Sequence, residues 1–284
     1  MSHRELAADG VVVAFGERQV LNGAHLSVPM GRRLALLGAN GSGKTTLLRT
    51  LSGSVRPSAG RVLVDSRPVT YGRSGLTEHR QVVQLVTQDP DDQLFAADVQ
   101  RDVSFGPMNL GLPASEVRDR VAQALSILSI SDLAERPIHE LSYGQRKRVA
   151  IAGALAMQPC VVLLDEPTAG LDPQGVEEMV GALEGLLAAQ KTVVIATHDV
   201  DFALRWADSV AVLVDGQISH GGPGDMLSDA TLLARARLRR PSVLDAAACL
   251  GLTLTGIRDT ASLVEAVRSS FIRVDSGVAE PRAG

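Results

Sequence analysis

Cysteine pairs, long apolar runs and an excess of positive charge are all missing from this 284-residue chain, and each absence closes off a class of protein. Cys160 and Cys249 are the only cysteines. Two thiols so far apart form neither a disulfide framework nor a metal-binding pair, and they fit a reduced, cytosolic compartment. Cys160 is expected at a buried strand and Cys249 in a helix. No apolar run reaches the roughly 18–20 residues of a membrane-spanning helix, and the N-terminus lacks the basic-then-apolar pattern of a secretory signal. The chain is therefore expected to be soluble by itself, with any membrane role exercised through a partner. Lys and Arg number 28 against 32 Asp and Glu, a net charge of −4, which argues against nucleic acid as the main partner. The six histidines are dispersed, without the ligand spacing of a transition-metal site. No internal repeat is found. Core-forming material is plentiful: 45% of residues are hydrophobic, enough for one large α/β domain and a small appendage.

Against these absences stand five short motifs in a fixed order. The first, Gly38-Ala39-Asn40-Gly41-Ser42-Gly43-Lys44-Thr45, fits the phosphate-cradling pattern G-x-x-x-x-G-K-[ST]. The apolar run Arg33 to Leu37 before it reads as a buried strand, and Thr45 to Leu51 after it reads as a helix. Gly38, Gly41 and Gly43 let the backbone turn its N–H groups toward an anion, and the helix N-terminus adds partial positive charge. Lys44 is suited to the β/γ-phosphates and Thr45 to Mg²⁺. A second apolar run, Cys160 to Leu164, ends in Asp165 and Glu166. Open α/β sheets bind ligands at the carboxyl ends of their strands, so Asp165 is suited to hold Mg²⁺ through water and Glu166 to act as general base on the attacking water. Taken alone, Asp-Glu at a strand end is an ordinary solvated turn; the phosphate loop in the same chain changes that reading.

The third motif, Leu141-Ser142-Tyr143-Gly144-Gln145, opens a helix that runs to about Met157, with Ser142 as its N-cap. Its N-terminus is a second anion site. Two anion sites about a hundred residues apart suggest one nucleotide held between two protomers. Gln88, within Leu85-Val86-Thr87-Gln88-Asp89-Pro90, and Thr197-His198-Asp199, after the apolar strand Thr192 to Ala196, complete the set.

In this order the five motifs resemble the ATP-binding cassette (ABC) ATPases, and the resemblance covers residues 5 to about 240. It implies an α/β fold: a P-loop NTPase (RecA-like) core with an antiparallel β subdomain and a helical subdomain, plus a short C-terminal helical appendage. It implies that Gln88 senses Mg²⁺ and the attacking water, that His198 contacts the γ-phosphate and that Asp172 speaks across a dimer. Phe15, about 23 residues before the phosphate loop, corresponds to the aromatic that stacks on adenine. Ala39, Asn40, Ser42 and Thr46 join the ATP contacts of one protomer; Ser142, Gly144 and Gln145 close on the partner's ATP, head to tail. The common form of the third motif has Gly where this chain has Tyr143.

Within the ABC class the chain is most similar to the energising ATPases of cobalt and nickel uptake systems, of the energy-coupling factor group. The similarity lies in Gln88 to Phe95 with Asp102 to Pro107, in Gln145 to Gly153, and in His198 to Asp201 with Trp206 to Asp208. It implies ATP and Mg²⁺ as cofactors, a second ATPase subunit (a copy or a close paralogue), a transmembrane coupling subunit and a substrate-binding membrane subunit. The place of action would be the cytoplasmic face of the plasma membrane. Leu94-Phe95 would either pack in the core or dock a partner's coupling helix. Vitamin-type importers of the same group, and soluble ABC ATPases that act on DNA or ribosomes, are the alternatives. The latter usually carry long coiled-coil insertions, two cassettes or basic surfaces, none of which this chain has. A non-catalytic cassette would need Lys44, Asp165 or Glu166 to be lost, and all are present.

The rest of the chain reads as follows. Residues 1–222 form the ATP-binding domain, with the helical subdomain at about 88–157. Val11 to Phe15, Ala24 to Val28 and Gly60 to Asp65 are strands, the last followed by a turn region. Asp89 to Gly111 is expected to be irregular because Pro, Gly and Asp are scattered through it. Ser115 is expected to cap a helix with Val117, Val121, Leu125 and Leu128 on one face. Phe202 to Ala207 reads as helix, and Asp215-Gly216 joins two strands in a hairpin. Residues 223–275 form the appendage, with helical patterns at about 224–250 and 259–271. The tail 276–284, rich in Gly, Pro and Ala, is expected to be disordered.

Overall fold

The computed structural model describes residues 4–275, with side chains to residue 270; the tail expected to be disordered lies outside the described residues. The chain opens with two long strands, β1 (Leu6–Phe15) and β2 (Arg18–Val28), both longer than their apolar cores suggested. They form an antiparallel hairpin turned at Gly16, whose φ of +61° suits glycine. Next come β3 (Arg33–Leu37), α1 (Lys44–Leu51), β4 (Ala59–Val64) and the two-residue β5 (Arg67–Pro68). Then follow α2 (Arg73–Val82), β6 (Val83–Val86), α3 (Val99–Asn109), α4 (Ala114–Ile127) and α5 (Tyr143–Ala156). The second half alternates strand and helix: β7 (Val161–Asp165), α6 (Pro173–Ala188), β8 (Thr192–Thr197), α7 (Val200–Trp206), β9 (Ser209–Val214) and β10 (Gln217–Gly221). Four helices close the described chain: α8 (Pro223–Ser228), α9 (Ala230–Ala236), α10 (Ser242–Cys249) and α11 (Thr260–Asp275).

Two sheets result. One is antiparallel in the order β2-β1-β4-β5; the other runs β10-β9-β3-β8-β7-β6 and is parallel except for β10. Every residue of β7 and β8 is buried, as expected of parallel strands covered on both faces. The period of two in β3 divides the interior. Leu34 and Leu36 join α1 and the antiparallel sheet in one core, whereas Ala35 and Leu37 face the other, built on α3 to α7 and the C-terminal helices. The same parallel register aligns the strand tips: Leu37 pairs with Thr197, and Asp165 with Ala196. The phosphate loop, the two carboxylates and His198 thus leave the sheet side by side, which is why residues far apart in sequence meet.

Several local expectations need correction. Asp89 to Gly111 is not irregular: α3 occupies half of it. Asp98 caps this helix by accepting from the Arg101 N–H at 2.9 Å, and Val99, Val103 and Pro107 form its buried stripe. Gly106 lets α3 lie close against Met157; a Cβ would stand 2.6 Å from that sulfur and push the Met157 side chain aside. Tertiary packing overrides the weak local propensity. Ser115 does not cap α4, which begins at Ala114 after Pro113, although Val117, Val121, Leu125 and Leu128 are buried as the spacing predicts. The helix α2 and strand β6 fill what reads as turn. The 224–250 pattern is three helices, because Asp229 caps α9 by accepting from two N–H groups and Arg237, with φ +52°, ends it. Cys160 is half-buried just before β7, and Cys249 is exposed in α10. Among the described residues, no helix is long and apolar enough to cross a membrane.

Candidate active site

The loop Gly38 to Thr45 joins the tip of β3 to α1. Gly43 begins α1 with φ +108°, and a Cβ there would stand 2.8 Å from Val20 Cγ1, so both conformation and space demand glycine. The helix has no side-chain cap and no acidic residue in its first turn. Its first-turn residues, Gly43 to Thr46, line the cleft, and no side-chain cap takes up the N–H at the helix start. Lys44 is buried; its ammonium donates to the carbonyls of Gly38 at 2.8 Å and Ala39 at 3.3 Å. Burial holds its pKa below the usual lysine value, against the pull of the Glu166 and Asp165 carboxylates.

The two carboxylates differ in their neighbours. Thr45 donates its hydroxyl to Asp165 at 2.6 Å, across two elements. Burial and the adjacent Glu166 charge nevertheless raise the Asp165 pKa. A buried carboxylate beside a hydroxyl is a hard, all-oxygen donor set of the kind Mg²⁺ prefers. Glu166 takes a left-handed backbone, φ +46°, just past the strand tip. Its carboxylate accepts from the Thr197 hydroxyl at 3.1 Å, stands 2.9 Å from His198 Nδ1, and lies 3.7 Å from the Lys44 ammonium. A carboxylate, an imidazole and an ammonium are thus held together at the end of a buried sheet.

A cleft of about 530 Å³ opens over these groups. Phe15, Asn40, Gly41, Gly43, Lys44, Thr45, Thr46, Gln88, Asp165, Glu166 and His198 line it; Gly38, Ala39 and Ser42 complete the loop beneath. Phe15 is 57% exposed at the end of β1, so it is no core residue. The remaining predicted residues stand outside the cleft. Ser142 and Gln145 form a reciprocal capping box on α5, at 3.2 and 2.9 Å, and Gly144 packs toward Leu171. Asp172 caps α6 through the Gly175 N–H at 2.7 Å. Sequence reasoning missed three contributors. Arg18 lines the cleft and donates to the Gly41 carbonyl at 3.2 Å, and no pattern announced it. The Thr197 hydroxyl on Glu166 belongs to a quoted motif but had no assigned role. Lys147 is buried, its ammonium donating to the carbonyls of Glu166, Pro167 and Ala169; three consecutive basic residues in one helix, of which not all can face water, were the available signal.

A family model described as "ABC transporter" matches residues 21–169. The chain is 52% identical to the cobalt import ATP-binding protein CbiO of Rhodobacter capsulatus, over 85% of this chain and 87% of that one. It is 48% identical to the energy-coupling factor transporter ATP-binding protein EcfA of Methanocaldococcus jannaschii, over 79% and 81%. Among solved structures, cbiO1 of Clostridium perfringens, described as part of the ABC transporter complex cbiONQ, superposes with a TM-score of 0.73 at 40% identity. That match covers 82% of this chain and 94% of the other.

Proposed function

The chain belongs to the ABC transporter ATP-binding family and is an ATPase, and from that premise we propose that it energises uptake of cobalt or nickel ions through a separate transmembrane subunit. The observation that carries the catalytic part is Glu166: a buried carboxylate held by Thr197 and His198 within 3.7 Å of the loop lysine. The phosphate loop and α1 N-terminus bind the triphosphate of ATP, with Lys44 on the β/γ-phosphates and Phe15 against adenine. Thr45, Asp165 and Gln88 would hold Mg²⁺, which supplies charge neutralisation to the phosphates when bound. Gln88 orients the attacking water and Glu166 takes its proton. The water oxygen bonds to the γ-phosphorus as the bond to the bridging oxygen breaks, leaving ADP and phosphate. His198 keeps Glu166 aimed and contacts the γ-phosphate.

The site is completed by a second ATPase subunit, a copy or a close paralogue, whose Ser142, Gly144 and Gln145 close on the same ATP and whose Asp172 faces across. A two-fold pairing makes two such sites. Closure is passed to a transmembrane coupling subunit that works with a substrate-binding membrane subunit, at the cytoplasmic face of the plasma membrane; no nucleic acid takes part. Its docking surface lies near Gln88: Phe95 and Phe105 are exposed and meet edge to face at 4.6 Å between ring centres, while Leu94 packs against the core. The cargo reading rests on 52% identity to a cobalt-import ATPase. The second reading is a vitamin-type importer of the same group; the 48% identity to an energy-coupling factor ATPase whose name states no cargo is compatible with either. Uptake of labelled cobalt and nickel is measured with and without the gene, beside biotin and riboflavin. Loss of metal uptake is expected; intact metal uptake with loss of a vitamin overturns the metal reading and leaves the ATPase standing.

A further inference from the structure

Lys147 is a buried ammonium for which the chemistry above has no use. It lies on α5, one turn beyond Tyr143, and is 4% exposed. Its Nζ donates to the carbonyl oxygens of Glu166 at 2.8 Å, Pro167 at 3.2 Å and Ala169 at 2.9 Å, so three donors meet three acceptors. The environment is costly for a charge: burial pushes its pKa down to about 8. A lid closes over it, because the Tyr143 ring centre is 5.2 Å from the ammonium. The same ring abuts Gly170, where a Cβ would stand 3.2 Å from it, and its hydroxyl reaches the Gln88 carbonyl at 3.5 Å.

The residue that receives the shortest of these bonds is the one with the unusual backbone. A non-glycine residue at φ +46° is strained unless its surroundings hold it there. Glu166 is held on both sides of its Cα. Its N–H donates to the Ala196 carbonyl at 2.8 Å, anchoring it to β8, while its carbonyl is taken by Lys147. That fixed backbone leaves the carboxylate facing Thr197 and His198. We infer that Lys147, sealed under the Tyr143 ring, is a positioning residue that holds the Glu166–Ala169 turn in the conformation aiming the Glu166 carboxylate at the attacking water. This inference rests on the reading of Glu166 as general base.

The test uses the full-length protein with four variants: Lys147→Met, Lys147→Arg, Glu166→Gln and Lys147→Met with Glu166→Gln. ATP affinity comes from titration with a fluorescent ATP analogue, hydrolysis from single-turnover assays with radiolabelled ATP, and folding from thermal melts. Lys147→Met is expected to bind the analogue within about twofold of wild type and to hydrolyse ATP roughly 10–100-fold more slowly, the scale of a misplacement of about 1 Å at a reacting group. Lys147→Arg, which restores charge and donors, recovers part of the loss. In the Glu166→Gln background the same Met substitution changes the residual rate by less than about twofold, because the group being aimed has gone. A folded Lys147→Met at wild-type turnover overturns the inference, and so does an equal loss in both backgrounds. If Lys147→Met does not fold, Lys147→Gln, with a shorter amide donor, takes its place under the same criteria. Wild-type turnover in Glu166→Gln alone sinks the base assignment instead, so the two failures are told apart.

Discussion

Two helix N-termini in this chain carry the sequence marks of anion sites, and they are finished differently. The start of α1 has glycine at its cap and no side chain on its N–H groups, with Lys44, Thr45, Asp165 and Glu166 gathered around it. The start of α5 is closed by its own residues: Ser142 accepts from the Gln145 N–H, and Gln145 accepts from the Ser142 N–H. An uncapped N-terminus presents three or four unsatisfied donors to a phosphate; a capping box has spent two of them. The first site is therefore ready within one chain. On the proposed reading, the second exchanges an internal hydrogen bond for one to a phosphate oxygen, and does so only when a partner brings ATP. On that reading the difference separates binding, which one chain would perform, from closure, which would need two.

The largest effect follows from placing those two N-termini on different chains. Lys44→Ala destroys both sites of a homodimer from the α1 side, and a Ser142→Asp substitution destroys both from the α5 side by setting a carboxylate against the γ-phosphate. Each variant alone is expected to lose at least 10²-fold in turnover, the scale of removing one preorganised charge-stabilising group. Mixed in equal amounts, they form some dimers in which an intact Lys44 faces an intact Ser142. Turnover then recovers to about a quarter of wild type, the statistical share of intact sites in two-fold dimers. No recovery on mixing breaks the comparison, because it puts both N-termini in one chain's service.

A smaller effect sharpens the same contrast. Gly43→Ala forces a Cβ toward Val20 at a φ that alanine resists; a cost of roughly 1–3 kcal/mol and loss of ATP binding by the isolated chain are expected. Ser142→Ala removes a helix cap, for about 1 kcal/mol, and leaves ATP binding by the isolated chain within about twofold. Thermal melts with and without ATP read both terms, since a bound ligand raises the melting temperature. If Ser142→Ala weakened ATP binding by the monomer as much as Gly43→Ala, the division between binding and closure would be wrong.

The legible parts of the molecule are those where one strong local rule has no competitor. The runs 34–37, 161–164 and 193–196 are continuous and apolar, as doubly covered parallel strands are. Glycines at 41 and 43 announce a turn because positive φ leaves little choice. Asp215-Gly216 marks its hairpin for the same reason, with φ of +51° and +75°. Where two rules conflict, the sequence misleads. Gly106 and Pro107 speak for a loop, yet Asp98 starts a helix and Met157 holds it. The site follows the same division. Residues in contiguous motifs are readable, whereas Arg18 and Lys147 act on backbone carbonyls far away in sequence, and a carbonyl acceptor leaves no trace in residue type. Their roles come from the register of the sheet and the docking of α5, which are properties of the folded chain alone.

The smallest effect concerns the ground on which the ready site stands. The strand β3 carries the phosphate loop at its far end, and its near end is pinned by an ion pair. Arg33 donates through its backbone N–H to Asp208 at 3.0 Å and through its guanidinium at 2.9 and 3.3 Å, with Glu184 at 3.4 Å beyond. Partial burial by itself raises the Asp208 pKa, but the Arg33 hydrogen bonds and charge outweigh it, and the net shift is downward. A carboxylate with a lowered folded pKa contributes stability that is present above its unfolded value and lost as pH falls through the folded one. Since the unfolded value is about 3.9, the contribution is full at pH 7 and fades below about pH 4. The pair is partly exposed, so Asp208→Asn is expected to cost only about 1 kcal/mol at pH 7. That corresponds to a few degrees in melting temperature for a chain of this size, and the gap between variant and wild type should close as the pH falls toward 3. The start of α5 rests on a different pair: Arg146 meets Asp91 at 2.9 Å and donates to the Leu141 carbonyl at 2.8 Å, while Ser142 bonds locally to Gln145. ATP binding by Asp208→Asn should therefore weaken slightly while dimer closure on bound ATP stays unchanged. A gap that widened in acid would assign the pair the wrong sign. A closure defect larger than the binding defect would show that the two helix starts do not rest on separate supports.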